Sequence, residues 1–219
     1  MRIAILGTGM VGRTLAAGLH GLGNDVAIGT RDPAATLARE GTDGFGTWAA
    51  AHPGISVVTF AEAASAADLV VNALFGEVSV AVIGEAGIAP GTVLLDVSNP
   101  LDSASGFPPN LFVTNTDSLA EQLQRAFGDL RVVKSLHTMT AHLMTGPRAL
   151  ADGAFSTFIC GDDAAAKQLV TGLLAQLGHQ DVIDLGDLTG ARGTEALMLL
   201  WLRLYQVLGT ADFSFKVVR

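Results

Sequence analysis

The sequence predicts an α/β fold, a Rossmann-type doubly wound and mostly parallel sheet with a small C-terminal α/β extension. Three observations predict it. Arg2-Ile3-Ala4-Ile5-Leu6 opens the chain with an apolar run of the kind expected for a strand buried on both faces. Gly7-Thr8-Gly9-Met10-Val11-Gly12 follows at once and leads into a segment with helical spacing. Beyond it, short apolar runs alternate with helical segments, the pattern of strand–helix–strand units that build parallel sheets.

The elements follow in order. A helix is predicted over 10–21, with Leu15, Leu19 and Leu22 on one side. Val26-Ala27-Ile28 is the second strand, and Val57-Val58-Thr59-Phe60, after a glycine-rich stretch, the third. Residues 61–67 suit a short helix, 69–74 a fourth strand and 78–86 the next helix. Residues 93–97 form a fifth strand that ends at Ser98-Asn99-Pro100. Leu119, Leu123 and Phe127, spaced by four, mark an amphipathic helix over 117–127, and 131–136 is a sixth strand. Strands over 157–161 and 181–185 flank a helix over 164–177. The last helix, 194–208, is apolar on nearly every side and is expected to be buried, partly in a homodimer interface. The division is a dinucleotide-binding Rossmann domain over 1–145 and an extension over 146–219 that contributes to the substrate pocket and the dimer interface.

Composition narrows the function classes. Of 219 residues, 49% are hydrophobic and 16% charged, enough for a large core. A net charge of −8 argues against nucleic-acid binding, which needs a basic surface, yet allows an anionic ligand held by local cations or helix N-termini. The one cysteine, Cys160, sits in the apolar run Phe158-Ile159-Cys160 and reads as a core residue in a cytoplasmic protein. No secretory signal is visible. The most apolar late segment, 196–208, contains Arg203 and is too short for a membrane span. No His, Cys and Asp spacing suggests a metal.

In doubly wound sheets, ligands bind beyond the carboxyl ends of the strands, so positions 7–12, 29–32, 73–76, 98–101 and 137–142 are the informative ones. In the glycine motif, Gly7 allows the tight turn, Gly9 lets the backbone approach a pyrophosphate, and Gly12 permits close helix–strand packing. The helix N-terminus offers free N–H groups to the phosphates. At the end of the second strand, NAD enzymes carry an acid for the ribose 2′-hydroxyl. Here Gly29-Thr30-Arg31 stands in that place, and Thr30 with Arg31 suits a 2′-phosphate. Asp32 competes for the ribose if the register slips by one, but Asp32-Pro33 also reads as an N-cap with Pro at the first helical position. NADPH is the expected cofactor. No conventional acid–base dehydrogenase set is visible; His137 stands out because it directly follows a strand leading to the ligand edge.

These motifs resemble the NADPH-dependent reductases of the deazaflavin coenzyme F-420. The resemblance runs along most of the chain. It is carried by Gly7-Thr8-Gly9-Met10-Val11-Gly12, Gly29-Thr30-Arg31, Asp96-Val97-Ser98-Asn99-Pro100-Leu101, Lys134-Ser135-Leu136-His137-Thr138, Cys160-Gly161-Asp162-Asp163 and Asp212-Phe213-Ser214-Phe215-Lys216. It implies hydride transfer between nicotinamide C4 and deazaflavin C5, with NADP on the glycine loop and its 2′-phosphate on Thr30 and Arg31. It further implies that Ala73, Leu74, Asn99 and Pro100 line the nicotinamide side, that His137 presses on the stacked rings by position, and that Phe213 forms the opposing wall. Direct transfer between stacked rings needs distance and orientation more than an acid or base, which fits the missing proton relay. Two departures lie beside the deazaflavin pocket. Met139-Thr140-Ala141-His142 replaces a Pro-containing turn, and Phe213 replaces a smaller aliphatic residue. They leave a flavin, a quinone-like compound or another conjugated ring as alternative acceptors, and a non-catalytic NADP-binding sensor or partner-binding module as the alternative outside enzymes.

Overall fold

A computed structural model describes residues 1–42 and 44–219. β1 (Arg2–Leu6) leads through the glycine loop into α1 (Met10–Gly21), then β2 (Asp25–Thr30), α2 (Pro33–Leu37), α3 (Phe45–Ala51), β3 (Ser56–Thr59), α4 (Phe60–Ala64) and β4 (Leu69–Asn72). α5 (Gly76–Ala86) and β5 (Val93–Asp96) follow, then a two-stranded hairpin, β6 (Leu101–Asp102) and β7 (Asn110–Leu111), then α6 (Leu119–Ala126) and β8 (Arg131–Ser135). The chain closes with α7 (Ala141–Thr145), β9 (Ser156–Gly161), α8 (Ala164–Leu177), β10 (Asp181–Asp184) and α9 (Ala191–Leu208).

Eight strands make one sheet in the order β10-β9-β8-β5-β4-β1-β2-β3. All pairings are parallel except β8 with β9. The reversal lets residues 146–219 add β9 and β10 to the same sheet, with the gap between β8 and β9 filled by α7 and short 3-10 turns rather than by one long crossover helix.

Alternation along β1 shows why the sheet is covered on both faces. Ile3 and Ile5 pack with Leu15 and Leu19 of α1 and with Val170, Leu173 and Leu174 of α8 in one apolar cluster. Ala4 and Leu6 pack in a second cluster with Ile83 of α5 and with Leu119 and Leu123 of α6. Sequence periodicity located these helices because each presents only one stripe to the sheet.

The structure departs from the sequence expectations at four places. Leu22 is the C-cap of α1 and points away from the buried stripe of Gly12, Leu15, Ala16 and Leu19. α2 and α3 are too short to show a period, although Asp32 does cap α2, accepting from Ala35 N at 2.9 Å with Pro33 in the first turn. The β6–β7 hairpin, with only two residues per strand, carries no alternation to read. α9 begins at Ala191 and is not buried all round. It buries Thr194, Glu195, Met198 and Leu202, while Leu199, Leu200 and Leu208 face outward.

Candidate active site

Strand order turns at β1 and β4, since β2 continues on one side and β5 on the other. The turns after β1 and β4 therefore part, opening a crevice beyond the carboxyl ends. A groove of about 680 Å³ lies there, of the size of small-molecule sites. Its lining includes residues 7–11, 29–32 and 73–76 together with Ser98, Asn99 and Leu101, so four of the five turns singled out in the sequence meet in it. The fifth, 137–142, does not line it, and Gly12 and Pro100 lie behind its wall.

The glycines place the loop. Gly7 has φ +126°, and a Cβ there would lie 2.4 Å from the carbonyl oxygen of Ala73, so the first turn abuts the turn after β4. A Cβ on Gly12 would lie 2.2 Å from the carbonyl oxygen of Gly7, which holds α1 against the loop. Gly9 is the N-cap of α1 and offers no side-chain cap; a Cβ built on it meets no described heavy atom within 4 Å. The first-turn N–H groups of α1 are thus left uncapped beside open space.

At the β2 end, Thr30 is buried and its Oγ1 lies 2.8 Å from Oγ1 of Thr36 on α2. Arg31 is exposed, and no hydrogen bond or ion pair holds its guanidinium among the described residues. The Asp32 carboxylate is engaged in capping α2. A second cation was not foreseen. Arg39 donates to Thr8 Oγ1 at 2.9 Å and to the Thr36 carbonyl at 3.3 Å, with its guanidinium 5.5 Å from the Phe45 ring centre. It joins the glycine loop to the far side of α2. Recognising the Asp32 cap as a helix start would have carried the chain to this position.

Under the turns after β4 and β5 runs a buried polar network. Lys134 Nζ donates to Asp96 Oδ2 at 2.8 Å and to the Ser98 carbonyl at 2.7 Å, and pairs with Glu195 Oε1 at 2.8 Å. Asp96 Oδ1 accepts from Asn72 Nδ2 at 2.8 Å and from Ser98 Oγ at 2.6 Å. Glu195 reaches from α9 to the start of α6, accepting from Leu119 N at 2.8 Å and Ala120 N at 3.2 Å. Burial alone would push the Lys134 ammonium down, but the carboxylates of Asp96 and Glu195 outweigh it and hold Lys134 above the usual lysine value. The network fixes Ser98 and so presents Asn99, whose Nδ2 donates to the His137 carbonyl at 3.0 Å while its buried Oδ1 has no partner among the described residues.

His137 itself is buried behind this turn, following Leu136 in the left-handed region at φ +64°. Burial, and after it the nearby Lys134 charge, push its imidazole well below the ordinary histidine range, so the ring is neutral. Among the described residues neither ring nitrogen meets a partner in strict hydrogen-bond geometry, though the backbone of Ser135 and Thr194 partly opposes the shift. Phe213 is half-buried and stacks on Trp201 of α9 at 5.1 Å between ring centres, outside the groove. The structure therefore gathers Gly7, Thr8, Gly9, Met10, Val11, Thr30, Arg31, Ala73, Leu74 and Asn99 around one groove and leaves Gly12, Pro100, His137 and Phe213 off its surface. Cys160 is buried, and burial pushes its thiol up to about 12, which removes it as a nucleophile.

The groove is chemically divided. At its β2 end the cations Arg31 and Arg39 outnumber the one carboxylate, Asp32, which caps α2. The wall from the turns after β4 and β5, which includes Ala73, Leu74, Phe75, Val78, Ser98 and Asn99, carries no titratable side chain among the described residues. Such a site can bind an anion at one end and hold a ring at the other, with no side chain placed to relay a proton.

A family model described as NADP oxidoreductase coenzyme F420-dependent matches residues 2–100. A crystal structure of a "putative f420 dependent nadp-reductase" from Arthrobacter sp. FB24 is 53% identical, with 100% of both chains covered and a TM-score of 0.97. Metalloreductase STEAP3 of Rattus norvegicus is 32% identical over 208 residues, covering 94% of this chain; the chain spans 38% of that relative's length. Mycobacterium tuberculosis 3-hydroxyisobutyrate dehydrogenase, at 20% identity, a TM-score of 0.63 and coverage of 94% of this chain and 61% of its own, shares the fold. No helix among the described residues is long and apolar enough to cross a membrane. With a relative at 53% identity matched over the whole of both chains and the glycine loop at the switch point of the sheet, this chain belongs to the coenzyme F-420-dependent NADP oxidoreductase family and is an NADP-dependent oxidoreductase.

Proposed function

We propose that the protein transfers a hydride between NADPH and coenzyme F-420. The observation that carries this reading is the wall beside Asn99, apolar and without a titratable group, which suits direct transfer between two stacked rings and nothing that needs a positioned acid. The description of the Arthrobacter relative points to the same acceptor. In this reading the loop Gly7-Thr8-Gly9-Met10-Val11-Gly12 holds the pyrophosphate, Thr30 and Arg31 take the 2′-phosphate with Arg39 beside them, and Ala73, Leu74, Asn99 and Pro100 form the nicotinamide side. The residues fit the group: the open side of Gly9 admits a phosphate, Arg31 has a free fork for one, and the unpartnered Asn99 Oδ1 can accept from a carboxamide NH₂. Bound NADPH supplies a hydride from nicotinamide C4. That hydride would go to C5 of the deazaflavin, leaving NADP⁺, and the acceptor's proton would come from water. His137 acts through position, its carbonyl holding Asn99 in place.

The experiment is NADPH oxidation by the purified protein with coenzyme F-420, with NADH and FMN in parallel. Fast, NADPH-selective reduction of the deazaflavin is expected; turnover with FMN alone would move the assignment to a flavin. Arg31→Ala should weaken NADPH binding by about 1.5–3 kcal/mol, the worth of a charged hydrogen-bonding partner, and leave NADH almost unchanged. Equal losses for both dinucleotides would remove Arg31 from the 2′-phosphate.

The outward face of α9 belongs to the same proposal. Leu200, Val207 and Leu208 expose a run of apolar surface on one side of α9 that a second copy covers in a homodimer of this cytoplasmic protein. Light scattering at micromolar concentration should give the dimer mass, and Leu200→Glu should give the monomer. A wild-type monomer at that concentration would end the dimer assignment.

A further inference from the structure

Phe75 is the N-cap of α5 and lines the groove with 83% of its surface exposed. Nothing in folding asks for it there. An N-cap favours Ser, Thr, Asp or Asn, whose oxygen bonds the first-turn N–H groups, and Phe75 provides no such bond. An exposed ring also gives the core little apolar burial. Its backbone is nevertheless held firmly. The Phe75 carbonyl accepts from Val78 N at 3.1 Å and from Ser79 Oγ at 3.1 Å. The next residue, Gly76, lies so close to the turn after β5 that a Cβ there would be 2.2 Å from the Asn99 carbonyl oxygen. A bare phenyl ring is thus carried on fixed backbone beside the residue whose Oδ1 lacks a partner. Met10, 67% exposed in the first turn of α1, lines the same groove and adds an adaptable thioether surface.

We propose that Phe75 is a specificity-determining residue, a platform on which the planar conjugated ring of the hydride acceptor stacks. The inference rests on the function proposed above. Asn99 lies in the half-buried wall and suits the ring that binds first. Phe75 is exposed in the same groove, and we assign its face to the second ring. An aromatic face recognises a conjugated ring by offset stacking and accepts several ring systems, so the platform selects for planarity rather than for one hydrogen-bond pattern.

The test is a binding titration that needs no turnover. Fluorescence of oxidised coenzyme F-420, and separately of FMN, is followed against NADP⁺-loaded wild type, Phe75→Ala and Phe75→Trp. The alanine variant should bind the planar acceptor about tenfold more weakly or worse, in the range of lost aromatic stacking. The tryptophan variant should stay close to wild type. Melting temperature should not change in either, because the side chain is exposed, and NADPH affinity should hold because the ring is assigned to the acceptor. Equal acceptor affinity in wild type and Phe75→Ala would overturn the inference, as would a matching loss of NADPH affinity, which would place Phe75 on the dinucleotide. Binding of FMN but not F-420, with the alanine loss intact, would keep the platform and defeat the deazaflavin assignment. If wild type binds neither ring, both fall.

Discussion

Replacing Lys134 by Met is expected to destabilise the protein by about 3–5 kcal/mol, the usual result of removing one partner from a buried ion pair. Against a typical domain stability of about 5–15 kcal/mol, that is a large share. The reason lies in what remains. The side chains of Asp96 and Glu195 are 0% and 2% exposed and would keep their negative charges without the cation between them. Asp96 would still accept from Asn72 and Ser98, and Glu195 from the first N–H groups of α6, so neither carboxylate could leave without losing those bonds. Urea unfolding at neutral pH measures the deficit. A loss below about 1 kcal/mol would mean that the two buried carboxylates are not stranded by the change. Glu195→Gln keeps the shape and one of the two acceptor oxygens and should cost less. NADPH affinity should also fall in Lys134→Met, since Lys134 holds the Ser98 carbonyl next to Asn99.

That network also marks the limit of what the sequence revealed. The strands of the parallel half were legible because each is a short apolar run covered on both faces, and the glycine loop because its three glycines sit at a fixed spacing between a strand and a helix. The turns that meet in the groove followed from the rule that ligands bind at strand carboxyl ends. Contacts across sequence distance were not legible. Lys134 and Glu195 lie on β8 and α9, and nothing local to either residue announces the other. His137 follows a strand end and so promised a place in the groove, but the left-handed turn at Leu136 precedes it and the side chain lies buried. α9 read as apolar on nearly every side, yet only its tertiary setting decides which apolar residues are buried; Met198 and Leu202 are covered while Leu199 and Leu200 are not. The antiparallel β9 escaped for the same reason, since a buried strand reads alike in either direction.

Gly9→Val is expected to leave the protein folded and to remove dinucleotide binding, and a neighbouring glycine supplies the control. Gly9 has φ −73° and ψ −177°, extended backbone that valine adopts without strain, and its Cβ direction is open. The melting temperature should therefore stay near that of wild type. The two methyl groups would stand over the uncapped N–H groups of the first turn of α1, where the proposed pyrophosphate lies, and direct backbone approach would be lost. NADPH affinity should fall by about 3 kcal/mol or more, comparable to losing several charge-assisted hydrogen bonds together. Gly12→Ala should behave differently. Its Cβ would lie 2.2 Å from the Gly7 carbonyl oxygen, which is backbone and cannot swing aside, so α1 must shift against the loop. Stability should drop by about 1–3 kcal/mol, as in other overpacked sites, and binding should weaken as a consequence. Thermal melts and NADPH fluorescence titrations of both variants separate the two roles. If Gly9→Val binds NADPH as wild type does, the pyrophosphate does not lie on this loop. If Gly9→Val melts far below wild type, its binding loss says nothing about contact, and Gly9→Ala, with a single methyl in the same open direction, becomes the variant whose affinity decides.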